Sequence, residues 1–167
     1  MNSSFDPERI SIEEWHQQHP LWGKLMEMVA EQGQYSWVIF EADWHQSSHI
    51  LVARQEEDIL GFLRFVVQDI GPEDDCPPVQ FGGKNLREAK VLAFAVREAY
   101  RRHGIGRALQ ERLIEEAKAC ELFQIRSHSS GANTANHQLK LAMGYGVHPV
   151  IRGEDRRGLY FILPLCK

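Results

Sequence analysis

The chain reads as an α/β (α+β) protein, a single domain with a mixed, mostly antiparallel sheet flanked by helices on both faces. Three observations predict this. Residues 49–54 and 59–68 are apolar runs rich in Ile, Val and Phe around a polar turn, the pattern of a hairpin. Two strand-like runs, 91–96 and 122–127, are each followed by an amphipathic helical pattern. Two further strand-like runs, 147–152 and 159–165, close the chain as a second hairpin.

Taken in order, Ile10 to Ile12 predicts a short first strand. From Pro20, a residue suited to a first helical turn, Leu21, Trp22, Leu25, Met28 and Val29 recur at helical spacing, and Gly33 ends that helix. Trp37 to Phe40 fits a strand or a buried segment, because periodicity does not separate the two over four residues. After the hairpin comes a loop of nearly twenty residues, from Asp69 to about Glu88. It carries Pro72, Pro77, Pro78, Gly82 and Gly83, and loops this long in a compact domain are often functional. Its acidic run Glu73-Asp74-Asp75 is read as solvated charge or as a wall that recognises a cation. Ala108, Leu109, Leu113, Ile114 and Ala117 then line one helix face. Ala135, Leu139, Ala142 and Met143 mark a last helix, stopped by Gly144 and Gly146, and residues 153–158 form the turn of the closing hairpin.

At 167 residues the chain suits one domain, residues 1–167, with no repeat or linker to divide it. A net charge of −4 offers nothing to nucleic acid or an anionic membrane. No apolar run approaches the roughly 20 residues that cross a bilayer, and the first residues lack the basic and apolar regions of a signal peptide. Cys76, Cys120 and Cys166 are odd in number and scattered, which fits reduced thiols and a cytoplasmic location; Cys120, at a helix end, is expected in the core.

The chemistry is concentrated in Arg101-Arg102-His103-Gly104-Ile105-Gly106-Arg107. A strand that runs through a glycine turn into a helix N-terminus presents unpaired N–H groups and the positive end of the helix dipole, which together bind phosphate. Gly104 and Gly106 let the backbone approach an anion closely. The motif is neither G-x-G-x-x-G nor a P-loop, so dinucleotides and ATP hydrolysis fit poorly.

Arg101-x-x-Gly104-x-Gly106 after a strand ending at Val96, Asn133 after the next strand, and Gly144-Tyr145 where Gly-Phe is usual together resemble the GNAT superfamily of acyl-coenzyme A-dependent N-acetyltransferases. The resemblance spans about residues 91 to 145. It implies a GNAT-like sheet and acetyl-coenzyme A as cosubstrate. The pantetheine arm would pair with Phe94, Ala95 and Val96. The pyrophosphate would lie among Arg101, Arg102, His103, Gly104, Ile105, Gly106 and Arg107, with Asn133 near the far side of the arm. Where many members place a tyrosine, seven residues after the asparagine, this chain has Lys140. An ammonium there donates a proton to the departing thiolate, stabilises it by charge, or points into water. Glu88 and His128 are candidate general bases, each with a structural reading beside it.

The histidine pairs His16-x-x-His19 and His45-x-x-x-His49 have ligand-like spacing but no acidic or cysteine partner nearby in a helix, so no metal is expected. The function expected is transfer of an acetyl group to a primary amine of a small molecule or a protein, directly in a ternary complex. The alternative is a non-catalytic module that binds acyl-coenzyme A as a sensor. A homodimer through the terminal hairpin is the expected assembly, if any.

Overall fold

The β-branched and aromatic runs form strands because such side chains pack on a pleated, half-buried surface. In the computed structural model, which describes residues 4–150 and 158–165, they give a seven-stranded sheet of order β1-β2-β3-β6-β7-β9-β8. The strands are β1 (Ser11–Trp15), β2 (His45–Gln55), β3 (Asp58–Asp69), β6 (Arg87–Val96), β7 (Gln124–Ser130), β8 (Gly146–Pro149) and β9 (Gly158–Pro164). A separate two-stranded ribbon joins β4 (Gln80–Phe81) to β5 (Lys84–Asn85). Four helices complete the mixed α/β fold: α1 (Trp22–Glu31), α2 (Tyr35–Ile39), α3 (Ile105–Ala119) and α4 (Thr134–Ala142). β6 and β7 run parallel from Glu88↔Gln124 to Val91↔Ser127. The β1–β2, β7–β9 and β8–β9 pairs are antiparallel.

The residues group into two compact units. One comprises Met1–Ala42, Ser48–Phe65 and Leu92–Leu113; the other comprises Asp43–Ser47, Val66–Val91 and Ile114–Lys167. In the first unit, Leu25, Met28 and Val29 of α1 bury against Trp15, Val38, Ile50, Val52, Ile59, Phe62 and Ala93. α1 ends at Gly33, whose φ of +67° is cheap only for glycine. Residues 37–40, expected as strand or buried segment, are mostly helix α2 and mostly exposed, with Val38 alone buried. Short apolar runs carry no period that could have shown this. The helix is fastened at its carbonyl end by buried Arg64, which donates to Trp37 O at 2.6 Å and to Ser48 Oγ at 3.2 Å.

In the second unit, the segment expected as one long loop is shorter and more ordered. β3 runs to Asp69, Pro72–Asp74 forms a 3₁₀ turn, and Gly82 and Gly83, with φ of +60° and +77°, turn the β4–β5 ribbon. Backbone bonds Val79 N to Ile70 O and Leu86 N to Val79 O, both 2.8 Å, fix its base. The turn expected at residues 153–158 falls almost wholly outside the described residues; Gly158 begins β9. Cys120, expected in the core, is exposed, because it lies just past the end of α3 rather than on its apolar face. Among the described residues no helix is long and apolar enough to cross a membrane.

Candidate functional site

Within the first unit, β6 delivers the chain into the glycine turn. Phe94, Ala95 and Val96 are half-buried at its end. Arg97 N then donates to Leu60 O at 2.9 Å, and a 3₁₀ turn over Glu98–Tyr100 reverses the chain. Gly61 permits this path: a Cβ there would lie 3.0 Å from Ala95 O, 3.2 Å from Val96 Cγ2 and 3.3 Å from Leu109 Cδ1. A glycine inside a strand pattern signals such close approach, and could have been read from the sequence.

Arg102 and Gly104 both take left-handed backbone conformations, with φ of +65° and +79°. The first bond of α3 runs from Ala108 N to Gly104 O at 3.0 Å. Gly104 is therefore the N-cap, and the amides of Ile105, Gly106 and Arg107 have no acceptor within the helix. A Ser, Thr, Asp or Asn cap would fold its side chain onto these groups; glycine leaves them open. A Cβ at Gly104 would meet nothing within 4 Å, so the space before the turn is clear. Arg101, Arg102 and Arg107 are exposed around it, with Arg107 3.7 Å from Glu111. Arg101 Nε donates to Val96 O at 3.0 Å, which ties the leading arginine to the strand end. Ile105 alone is buried and anchors the turn in the core. The expected residues from Phe94 to Arg107 thus form one continuous strand-to-helix stretch with three exposed arginines.

The remaining expected residues belong to the second unit. Asn133 is the N-cap of α4, and its side chain accepts from Asn136 N at 3.3 Å. Lys140 lies two turns further on and is completely buried. Among the described residues its Nζ has no hydrogen-bond partner, and it sits 4.8 Å from the centre of the Tyr145 ring. Burial lowers its pKa from 10.5 to about 7, since the charged form loses its water. The same burial pushes the Tyr145 phenol up. His128 is exposed, packs edge-on against Tyr160 at 5.4 Å, and lies directly over Gly158.

Glu88 is wholly buried and its oxygens are saturated. They accept from Arg126 Nη2 at 2.7 Å and Nε at 3.1 Å, from Gln124 at 2.8 Å and from Gln68 at 3.0 Å. A carboxylate so engaged is a strut rather than a free proton acceptor. Of the acidic run, Glu73 joins the same network, with Asp74 at its rim, while Asp74 and Asp75 are exposed. Glu73 pairs with Arg126 and Lys90 and accepts from Gln68 at 3.1 Å; Asp74 stands 3.9 Å from Arg126. Burial raises and these cations lower the Glu73 pKa, with a net fall. Glu73 is thus a half-buried counter-ion for buried Arg126 and half-buried Lys90. Arg126, which completes the group by lying 5.2 Å over the Tyr160 ring, gave no sequence signal because its partners are 38 and 53 residues away.

The acetyltransferase (GNAT) family model matches residues 9–145. The chain belongs to the GNAT family. No curated protein matches it at the level of sequence. Solved GNAT-like structures match its fold at low identity. NAA60 of Arabidopsis thaliana, crystallised with acetyl-CoA, is 14% identical with a TM-score of 0.68, over 93% of this chain and 98% of that one. The ribosomal-protein-S18-alanine N-acetyltransferase from Escherichia coli is 18% identical with a TM-score of 0.61, over 95% of each. Ard1 from Thermoplasma volcanium is 18% identical with a TM-score of 0.62, over 95% and 99%. Within the GNAT family, then, this chain keeps the arginine–glycine turn and places a buried lysine at position 140.

Proposed function

We propose that this GNAT protein acts as a single domain, residues 1–167, moving an acetyl group from acetyl-coenzyme A to a primary amine of a small molecule or a protein. The observation that carries the reading is the glycine-capped N-terminus of α3, with three amides open and three arginines around it. This fits a pyrophosphate: the amides already point out of the helix, the dipole favours negative charge, and among the described residues no side chain caps them. Arg101, Arg102, His103, Gly104, Ile105, Gly106 and Arg107 hold that group, and the backbone of Phe94, Ala95 and Val96 holds the pantetheine arm. Asn133, already bound to α4 at its Oδ1, contributes to the arm through its amide nitrogen.

Acetyl-coenzyme A supplies the acyl group as a thioester and leaves as a thiol. The chain's own part is to bind, orient and manage protons. Orientation of two substrates supplies about 7–11 kcal/mol of such a barrier, so no acyl-enzyme is required. Lys140 is the proposed proton donor to the sulfur: at a pKa of about 7 it holds and releases a proton near neutrality. Glu88 is not proposed as the base, since Arg126 and two glutamines occupy it. A cytoplasmic location goes with this reading, as does a homodimer through the β8 edge, which is exposed at all four positions.

The test is thiol release from acetyl-coenzyme A across amines, polyamines, amino acids and peptides, paired with the melting temperature on adding coenzyme A. Wild type turns over at least one acceptor and is stabilised; Gly106→Trp, which fills the cradle, loses the stabilisation. Equal stabilisation of both proteins would place the cofactor elsewhere.

A further inference from the structure

The turn that holds the open amides is strained. A non-glycine residue in the left-handed region costs energy and persists only where its surroundings hold it. Arg102 is such a residue, and its side chain is exposed, with no hydrogen bond or ion pair to it among the described residues. The restraint comes from His103. Its Nδ1 lies 2.8 Å from Arg101 O and 3.2 Å from Tyr100 O. Both partners are carbonyls, which only accept, so Nδ1 carries the proton and the ring bridges the turn from within.

Phe5 packs against that ring. Its ring meets His103 edge-on, with centroids 4.7 Å apart at 73°, and Tyr100 at 5.3 Å. Phe5 is itself aimed. The buried amide of Gln55, at the end of β2, accepts from Asp6 N at 2.9 Å and donates to Ser4 O at 3.2 Å, gripping the chain on both sides of the phenylalanine. Asp6 then caps the 3₁₀ turn Pro7–Arg9 through Glu8 N, and Arg9 pairs with Glu56.

We infer that the segment Ser4–Arg9 is a buttress for the anion cradle and that Phe5 is a positioning residue for cofactor binding, acting through His103 on Arg102. This rests on the cradle being the pyrophosphate site. Without the ring, His103 swings, Arg102 relaxes towards ordinary backbone angles, and the open amides diverge. The cofactor then binds only the fraction of molecules whose turn is set, and apparent affinity falls by that fraction.

The test is coenzyme A binding by calorimetry with steady-state kinetics, on wild type, Phe5→Ala, Phe5→Leu and Phe5→Tyr. An edge-on aromatic pair of this kind corresponds to about three- to tenfold in affinity. Phe5→Ala should raise Kd and KM for the cofactor by that factor with kcat within about twofold. Phe5→Tyr, which keeps the ring, should restore wild-type Kd. If Phe5→Ala does not fold, Phe5→Leu decides, since it keeps apolar bulk and removes the ring. Wild-type Kd in Phe5→Leu, or a loss confined to kcat, would overturn the buttress. Failure of wild type to bind coenzyme A would instead overturn the cradle itself.

Discussion

Replacing Lys140 with methionine removes a charge from a site that, among the described residues, offers it no hydrogen-bond partner. The side chain is fully buried and its ammonium lies 4.8 Å from the centre of the Tyr145 ring. Its pKa falls from 10.5 to about 7 on folding. At about 1.36 kcal/mol for each tenfold change in proton affinity, the charged form in that site costs on the order of 5 kcal/mol. Below pH 7 both folded and unfolded chains hold the proton, so the whole cost is present. Between pH 7 and 10.5 the unfolded chain holds a proton that the folded one has released, so stability rises with pH across that window. At pH 7 Lys140→Met, close in volume and apolar, should gain about 2–4 kcal/mol, or roughly 4–16 °C in melting temperature. Urea unfolding of both proteins from pH 6 to 10 measures this, with the difference between them shrinking as pH rises. A difference that ignores pH, or a less stable variant at every pH, would refute the reasoning, because Nζ would then have a partner. If the lysine also returns a proton to sulfur, the stabilised variant should lose at least tenfold in kcat and its alkaline limb. Gain of stability with loss of turnover separates a catalytic lysine from a misplaced one.

Glu88→Gln should cost about 3 kcal/mol in urea unfolding, since breaking a buried pair strands its partner and Glu73 compensates Arg126 only in part. Unchanged stability with lost turnover would make Glu88 a base rather than a strut. Gly61→Val should cost about 1–3 kcal/mol, because its Cβ meets Ala95 O at 3.0 Å. It should also weaken coenzyme A binding by displacing the strand that feeds the turn; calorimetry showing wild-type affinity would contradict that coupling.

What was legible in the sequence followed from local chemistry. The β2–β3 hairpin, α3 and α4 announce themselves by period and by β-branched composition, and their observed limits differ by a few residues at the ends. The strand–turn–helix at residues 87–119 was legible because its parts are consecutive. Trp37 to Phe40 was not, because four residues cannot distinguish the short exposed helix from a strand. Nor was the role of Glu73, whose partners Lys90 and Arg126 are distant in the chain and adjacent only through the sheet. The same holds for Phe5, brought to His103 by nearly one hundred residues of intervening fold. Local pattern reveals the open glycine turn; what holds that turn in shape is a long-range matter.

Gly104 leaves α3 uncapped by its own chain, so a bound pyrophosphate would complete the helix as well as occupy a site. Ligand that binds only the folded state adds stability as RT ln(1 + [L]/Kd), about 2.7 kcal/mol at a hundredfold excess over Kd. The half-life of this protein in a cell would then follow the supply of coenzyme A. A starved cell would clear by proteolysis an enzyme that it has no substrate to run.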